Sequence, residues 1–342
     1  MAEIQYPGAA DTGRIRWYRT PLAREKLREL TERSDWKGFL QAGGFLGLLG
    51  LTAAGVLLGW GRLHPAIVVA ILFLHGTFYA FLLNGFHELV HGTVFRTRAL
   101  NRIFAYIYSF LSWYNPFGFH ASHVRHHTST LHTPDDGEVV LPIRLRLRAF
   151  LMSAFVDPVG LFNTVKDTVR LSLGIVKPGW ELTIFPEEDR KARSRLFLFA
   201  RITLAGHAAI VALSAVTGLW QIALVTTVAR FWGGWLQYIC NNTQHVGLQD
   251  NVPDFRLCCR SVRLNPFVRF LYFHMNYHAE HHMYAAVPCY NLGKLRRTID
   301  HDMPPILPGL LSAWREIIGI LKIQEKDPSY QHHYRLPGAA GA

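Results

Sequence analysis

Apolar and polar stretches alternate along the chain in long blocks. Residues 1–38 are polar and basic, carrying Arg14, Arg16, Arg19, Arg24, Lys26, Arg28 and Arg33. Phe39–Trp60 and Pro65–Phe86 follow as apolar runs of about 22 residues each, long enough to cross a hydrocarbon core of ~30 Å as helices. Only the tip Gly61-Arg62-Leu63-His64 separates them, which predicts a hairpin of two transmembrane helices. Leu196–Leu219 and Trp220–Asn242 form a second such pair, joined through the uncharged Thr217-Gly218-Leu219-Trp220. Between the pairs, Ile103–Trp113 is apolar but too short to cross, so it predicts an interfacial or re-entrant piece. An amphipathic stretch near Ile143–Val169 predicts a segment lying on the membrane. Beyond about Arg296 the pattern is that of a helical cap interrupted by prolines. The expected fold is therefore an all-α integral membrane protein. It has four transmembrane helices in two hairpins, topped by a histidine-rich helical cap. Its expected divisions are a basic segment (1–38), a membrane domain (39–295) and a C-terminal cap and tail (296–342).

Composition agrees with a membrane protein. The chain has 342 residues, 50% of them hydrophobic, and only 18% charged, against about 25% in a soluble domain. The net charge of +12 would also suit a polyanion ligand. However, the basic residues flank the apolar runs, which favours anionic lipid and the positive-inside rule over nucleic acid. The inter-helix tips carry one charge, Arg62, while residues 1–38, 92–195 and 243–342 carry nearly all the Lys and Arg. That asymmetry puts these three segments on the cytoplasmic side. Cys240, Cys258, Cys259 and Cys289 form no CxxC pair, so no built-in iron–sulfur or zinc-ribbon site is expected. The polar, basic start does not read as a cleaved signal peptide.

Three histidine clusters then change the picture. They are His87-Glu88-Leu89-Val90-His91, His123-Val124-Arg125-His126-His127 and His278-Ala279-Glu280-His281-His282. Positions i and i+4, or i+3 and i+4, lie on one helix face, so each cluster aims two or three imidazoles at one region. All three fall beside membrane exits on the same expected side. His245, in Asn241-Asn242-Thr243-Gln244-His245, follows the last apolar run and adds a ninth candidate ligand. A tetrahedral zinc takes four ligands, so eight or nine histidines favour two metal ions. Carboxylate-bridged di-iron proteins use a Glu-x-x-His on each of two helices. Here Glu88-x-x-His91 occurs once, so an all-histidine centre is a different design. A rival reading takes His87-Glu88-Leu89-Val90-His91 as the HExxH of a zinc metalloprotease with Glu88 as general base. It leaves two HxxHH clusters without a role. A non-catalytic metal-binding or transport protein would not need every ligand on one side of the bilayer.

The pattern HxxxH, HxxHH, HxxHH over two hairpins resembles the membrane fatty acid desaturase superfamily, which also includes hydroxylases and carotenoid-modifying enzymes. The likeness runs from about Phe39 to Leu295. It includes His87-Glu88-Leu89-Val90-His91-Gly92-Thr93, as in bacterial members, and Asn276-Tyr277-His278-Ala279-Glu280-His281-His282-Met283-Tyr284 followed by Val287-Pro288. By this resemblance the nine histidines bind two irons, His245 matching the family's additional ligand. The implied reaction uses dioxygen and two external electrons to oxidise an unactivated C–H bond. Base rates in the family favour desaturation of a fatty acyl chain; hydroxylation, or a small non-acyl substrate, is the alternative. The chain lacks the longer first box and the fused haem domain of many eukaryotic-type members. Electrons are therefore expected from a separate ferredoxin, rubredoxin or cytochrome with its reductase, docking on the basic face. The expected location is a bacterial inner membrane, multi-pass.

Metal-bound imidazoles usually hand their second N–H to a carboxylate or carbonyl. Glu88, Asp135, Asp136 and Glu280 are the nearest carboxylates in sequence, and Asn241 is a candidate for holding a metal-bound water. His120, His132 and His274 lie near the boxes but off the family pattern. His75 and His207 sit inside apolar runs and read as packed, hydrogen-bonded residues. Arg230, inside the fourth run, is expensive there unless paired or snorkelling. Trp113, Tyr114, Trp232 and Trp235 read as an interfacial belt.

Overall fold

A computed structural model describes residues 15–337; Arg14 and the outer ends of both terminal segments lie outside them. The described residues are helical, with only isolated β-bridges and no strands. In chain order the main helices are α1 (Arg24–Leu30), α2 (Asp35–Gly59), α3 (Pro65–Tyr79), α4 (Leu82–Val90), α5 (Arg98–Ser112), α6 (Pro116–Ser129), α7 (Leu147–Phe155), α8 (Pro158–Ser172), α9 (Arg190–Thr217), α10 (Trp235–Asn241), α11 (His278–Met283), α12 (Leu292–Ile299) and α13 (Leu310–Gln324).

Three stretches are long and apolar enough to cross a membrane: α2, α3 with α4, and α9. Their outer faces carry bare aliphatic side chains. Leu51 is 70% exposed, Val69 63% and Val216 87%, as expected where lipid rather than protein is the neighbour. Pro65 opens α3 at a first-turn position, where its missing N–H costs nothing. The short Ile103–Trp113 piece forms most of helix α5, packed along α4, with Trp113 as the left-handed residue that ends it. The amphipathic region forms α7 and α8, with Leu147, Phe155 and Phe162 exposed.

The predicted fourth span is not one helix. It is broken into Gln221–Val225, a 3-10 turn at Ala229–Phe231, and α10. Gly233 has φ +67°, and a Cβ there would lie 2.7 Å from the Thr77 amide nitrogen on α3. Gly76 faces it, where a Cβ would meet the Trp232 ring at 2.1 Å. Backbone crosses backbone at this point, which only glycines allow. The break frees backbone carbonyls, and buried side chains satisfy them. His75 Nε2–H donates to the Val225 carbonyl (2.9 Å), the Tyr79 hydroxyl to Thr226 (2.9 Å) and the Trp113 indole to Thr227 (2.8 Å). Irregular backbone at membrane depth is tolerated when it is buried in protein and paired in this way. His75 and His207 are thus the packed, hydrogen-bonded residues expected of them, His207 bonding the Phe110 carbonyl at 2.9 Å. Arg230 sits on the 3-10 turn, donates to the Ser112 carbonyl and lies over the Tyr114 ring at 4.2 Å.

The core continues from the helices into the terminal segments. Phe45, Tyr108 and Phe273 pack together beneath the first histidine helix. Gly85 of α4 sits directly on them: a Cβ there would meet Tyr108 at 2.4 Å and Phe273 at 2.6 Å. The N-terminal segment is tied across the third histidine box, where Thr20 N–H reaches the Met283 sulfur (3.4 Å) and the Asn291 amide donates to the Leu30 carbonyl (2.9 Å). The C-terminal tail returns to the turn after His245 through His332 N–H and the Gly247 carbonyl, 2.8 Å apart.

Candidate metal centre

Each histidine cluster rides on a helix, and the start of the second is fixed locally. Asn115 caps α6 by accepting from the amides of Phe117 (3.1 Å) and Gly118 (3.3 Å), and Pro116 occupies its first turn. His123 and His127 then share one face of α6, while His126 is turned toward another. The end of α4 presents His87 and His91 one turn apart. The six-residue α11 presents His278 and His282 on one face and His281 on another. His245 lies in the turns after α10, its Nδ1–H donating to the Cys258 carbonyl (2.8 Å).

These nine side chains meet as two groups. His87, His91, His123, His127 and His281 bring one ligand atom each to within 4.8 Å of one another, and so do His126, His245, His278 and His282. The two HxxHH boxes divide in mirror fashion. The second gives its i and i+4 members to the five-histidine group and its i+3 member to the other. The third does the reverse. The groups abut where the His127 and His282 rings stack at 4.3 Å.

The nitrogen spacings fit a metal sphere. A metal–imidazole bond of about 2.1 Å puts neighbouring nitrogens about 3.0 Å apart at right angles and about 3.4 Å apart in a tetrahedron. In the first group the Nε2–Nε2 distances are 3.2 Å for His91–His123, 2.9 Å for His123–His127 and 3.2 Å for His127–His281. In the second they are 2.8 Å for His245–His278 and 3.1 Å for His278–His282. These values, 2.8–3.2 Å, fall at or below the middle of that range.

The outward nitrogens of His123, His126, His245 and His282 have hydrogen-bond partners, as metal-bound imidazoles require, while those of His87, His278 and His281 have no partner in hydrogen-bond geometry. His123 Nδ1 is 2.7 Å from Glu138 Oε1 and His126 Nδ1 is 2.7 Å from Asp136 Oδ2. His281 Nδ1 lies 3.0 Å from Glu88 Oε1, which is also 3.4 Å from His87 Nδ1. His282 Nδ1 is 3.2 Å from the Thr130 hydroxyl. Such contacts place the proton on Nδ1 and turn the Nε2 lone pair inward. Burial holds the pKa of His91, His123, His127, His278 and His282 well below the ordinary histidine value, and that of His245 at about 3. All six are neutral ligands at pH 7. The donor set fits two metal ions.

The expected supporting residues fare differently. Asp136 and Glu88 touch the histidines as anticipated. Asp135 is half-buried and contacts none of them. Glu280 points away, toward the Ser261 hydroxyl and Arg296 Nη1 (3.1 Å), so it braces α11 instead. Asn241 bonds Asn84 (3.3 Å) and lines the adjoining cavity. Glu138 is not among the carboxylates expected from the sequence; it lies in a turn-rich loop, where no local pattern signals the direction of a side chain. Gly137, between Asp136 and Glu138, has no room for a Cβ, which would meet Trp180 at 2.4 Å. Glu88 is fully buried against outward nitrogens of two boxes, so it is not turned inward as the general base of an HExxH protease must be. His132 bonds the Thr130 carbonyl (2.9 Å), and His274, half-buried beside Arg269, has its pKa lowered to about 4 by desolvation first and that charge second.

A cavity of about 570 Å³ opens beside both groups, with His87, His123, His126, His245 and His278 in its wall. Leu83, Phe119, Val139 and Met275 give it apolar surface, while Asn84, Asn241 and Gln244 add amides. Its size is that of a small-molecule site. A search among curated proteins finds none with significant similarity. The fatty acid desaturase family model, however, matches residues 63–313. That span takes in α3 through the start of α13 and all nine histidines, and the chain belongs to the fatty acid desaturase family.

Proposed function

We propose that the protein is a membrane oxidoreductase that oxidises a C–H bond with dioxygen at a non-haem di-iron centre, desaturating a fatty acyl chain. Family membership supports the oxidoreductase class and the acyl substrate. The observation that carries the metal assignment is the division of nine histidines into a group of five and a group of four. When bound, two irons supply dioxygen activation and hydrogen abstraction, drawing two electrons from an external donor. The five-histidine group holds one ion and the four-histidine group the other. Glu138, Asp136, Glu88 and the Cys258 carbonyl keep the Nδ1 protons in place and the rings fixed. Leu83, Phe119 and Met275 exclude water and position the apolar substrate in the cavity beside both groups.

A second reading shares this chemistry but takes a smaller or more polar substrate, or ends in hydroxylation. The side-chain oxygen of Asn84, buried in the cavity wall without a partner, favours it, because a buried amide group is costly unless a ligand or water pairs with it. The excess of Lys and Arg in residues 15–38, 92–195 and 243–337 supports a cytoplasmic metal centre. The test is oxygen consumption by iron-loaded, detergent-purified protein with candidate acyl substrates, followed by analysis of the product. A new double bond supports desaturation of an acyl chain. An inserted oxygen supports hydroxylation, and turnover of polar small molecules alone moves the substrate class.

A further inference from the structure

We propose that electrons reach the metal centre through the indole of Trp17, and that the surface around it docks an acidic one-electron carrier protein. The inference rests on the di-iron reading above. Trp17 is half-buried, on the N-terminal segment that crosses the second and third histidine boxes. Its ring stacks on Phe255 with centroids 4.1 Å apart and planes 8° from parallel. Phe255 in turn packs on the ring of His282, 5.6 Å away. His282 belongs to the four-histidine group. Two ring-to-ring steps therefore join a surface residue to a candidate ligand.

A bonded route runs beside this stack. The edge of His132 meets Trp17 at 5.2 Å. His132 Nδ1–H donates to the Thr130 carbonyl (2.9 Å), and the Thr130 hydroxyl lies 3.2 Å from His282 Nδ1. The indole N–H itself donates to the Thr128 carbonyl (2.9 Å), one residue past His127. Electron tunnelling falls exponentially with the width of the insulating gap. Packed rings and hydrogen bonds that converge on one ligand make this gap narrow.

The charge around Trp17 fits an acidic partner. Arg16 and Arg19 flank it, are exposed, and make no ion pair among the described residues. The nearby carboxylates Asp254 and Asp302 share Arg256, at 2.8 and 2.6 Å, so that group keeps one net negative charge against the two positive charges of Arg16 and Arg19. With a chain charge of +12, the surface attracts an acidic carrier and orients it. Each transfer oxidises one reduced carrier by one electron and delivers that electron to a ferric ion held by the histidines. Two transfers reduce the pair, and Trp17 and Phe255 stay unchanged as bridges.

The test uses full-length, iron-loaded protein in lipid nanodiscs and a reduced plant-type [2Fe–2S] ferredoxin, an acidic one-electron donor. Stopped-flow absorbance follows oxidation of the ferredoxin, with iron content measured on the same samples. Trp17→Phe, which keeps a ring, is expected to accept electrons at nearly the wild-type rate. Trp17→Leu is expected to accept them slower by an order of magnitude, with unchanged ferredoxin affinity and unchanged reduction by dithionite. The double substitution Arg16→Glu, Arg19→Glu is expected to weaken ferredoxin binding on the order of tenfold at low ionic strength, and less in high salt. The proposal is overturned if Trp17→Leu is reduced by ferredoxin at the wild-type rate, or if dithionite reduction slows equally. It is also overturned if ferredoxin does not reduce the wild type. A wild-type iron content below two per chain strikes the di-iron reading instead, and the iron assay reports that separately.

Discussion

Asp136 and Glu138 leave the same loop and hold histidines of different groups. Asp136 holds His126 of the four-histidine group, and Glu138 holds His123 of the five-histidine group. Losing such a carboxylate typically costs about 10–100-fold in metal affinity. Asp136→Asn is therefore expected to loosen one metal and Glu138→Gln the other. Competition with a graded chelator, read by residual iron, should show one weak and one tight ion in each variant. Glu280→Gln is the contrast. It removes one of the two carboxylates paired with buried Arg296, the other being Asp300, so thermal stability should fall while iron content stays at the wild-type level. The histidines were legible in the sequence because spacing on a helix determines which imidazoles share a face. Their supporting carboxylates were less so. Proximity in sequence picked out Asp136 but also Asp135 and Glu280, whose side chains point elsewhere, and it passed over Glu138. Direction in a loop depends on backbone turns that a residue pattern does not record.

Helix α4 carries the first histidine pair because Gly85 lets it lie flat on Tyr108 and Phe273. A Cβ at 2.4 Å from the Tyr108 ring cannot be accommodated without movement, and overpacking of this kind costs about 1–3 kcal/mol. Gly85→Ala should lower the melting temperature and also shift His87, one half-turn along the same helix. Melting in detergent, with and without iron, checks both: a smaller stabilisation by iron than in wild type is the expected sign of a displaced ligand. The long spans were readable because three of the four apolar runs become helices of the predicted length. The fourth was misread as continuous, since mean hydropathy ignores what Gly233, Gly234 and Arg230 do within it. Its broken backbone is stabilised by His75, Tyr79 and Trp113, residues that belong to other parts of the chain. That compensation is tertiary and has no local signature.

At the scale of the whole molecule, helices α4, α6 and α11 and the turns after α10 converge on one largely buried cluster of imidazoles. This has a consequence for pH. In the unfolded chain a histidine titrates near 6.5, whereas burial holds His245 at about 3 and His91, His123, His127, His278 and His282 well below their ordinary value. Below pH ~6.5 the unfolded chain binds protons that the fold refuses, so unfolding is favoured. Metal-free protein should be level in stability at pH 7–8 and lose it steadily as pH falls through 6 and 5. Melting curves across that range check this, and a melting temperature that rises on acidification would contradict it. The sequence carried the number of histidines and the resemblance that pairs them with two irons. Only the assembled fold showed how the boxes divide, because the two HxxHH motifs are identical in pattern and opposite in allegiance. The most direct test of that division is the metal content of detergent-purified protein grown with iron and zinc both available. Two irons per chain, falling toward one in His245→Ala, is the predicted result. One zinc per chain, indifferent to His245→Ala, would contradict the account.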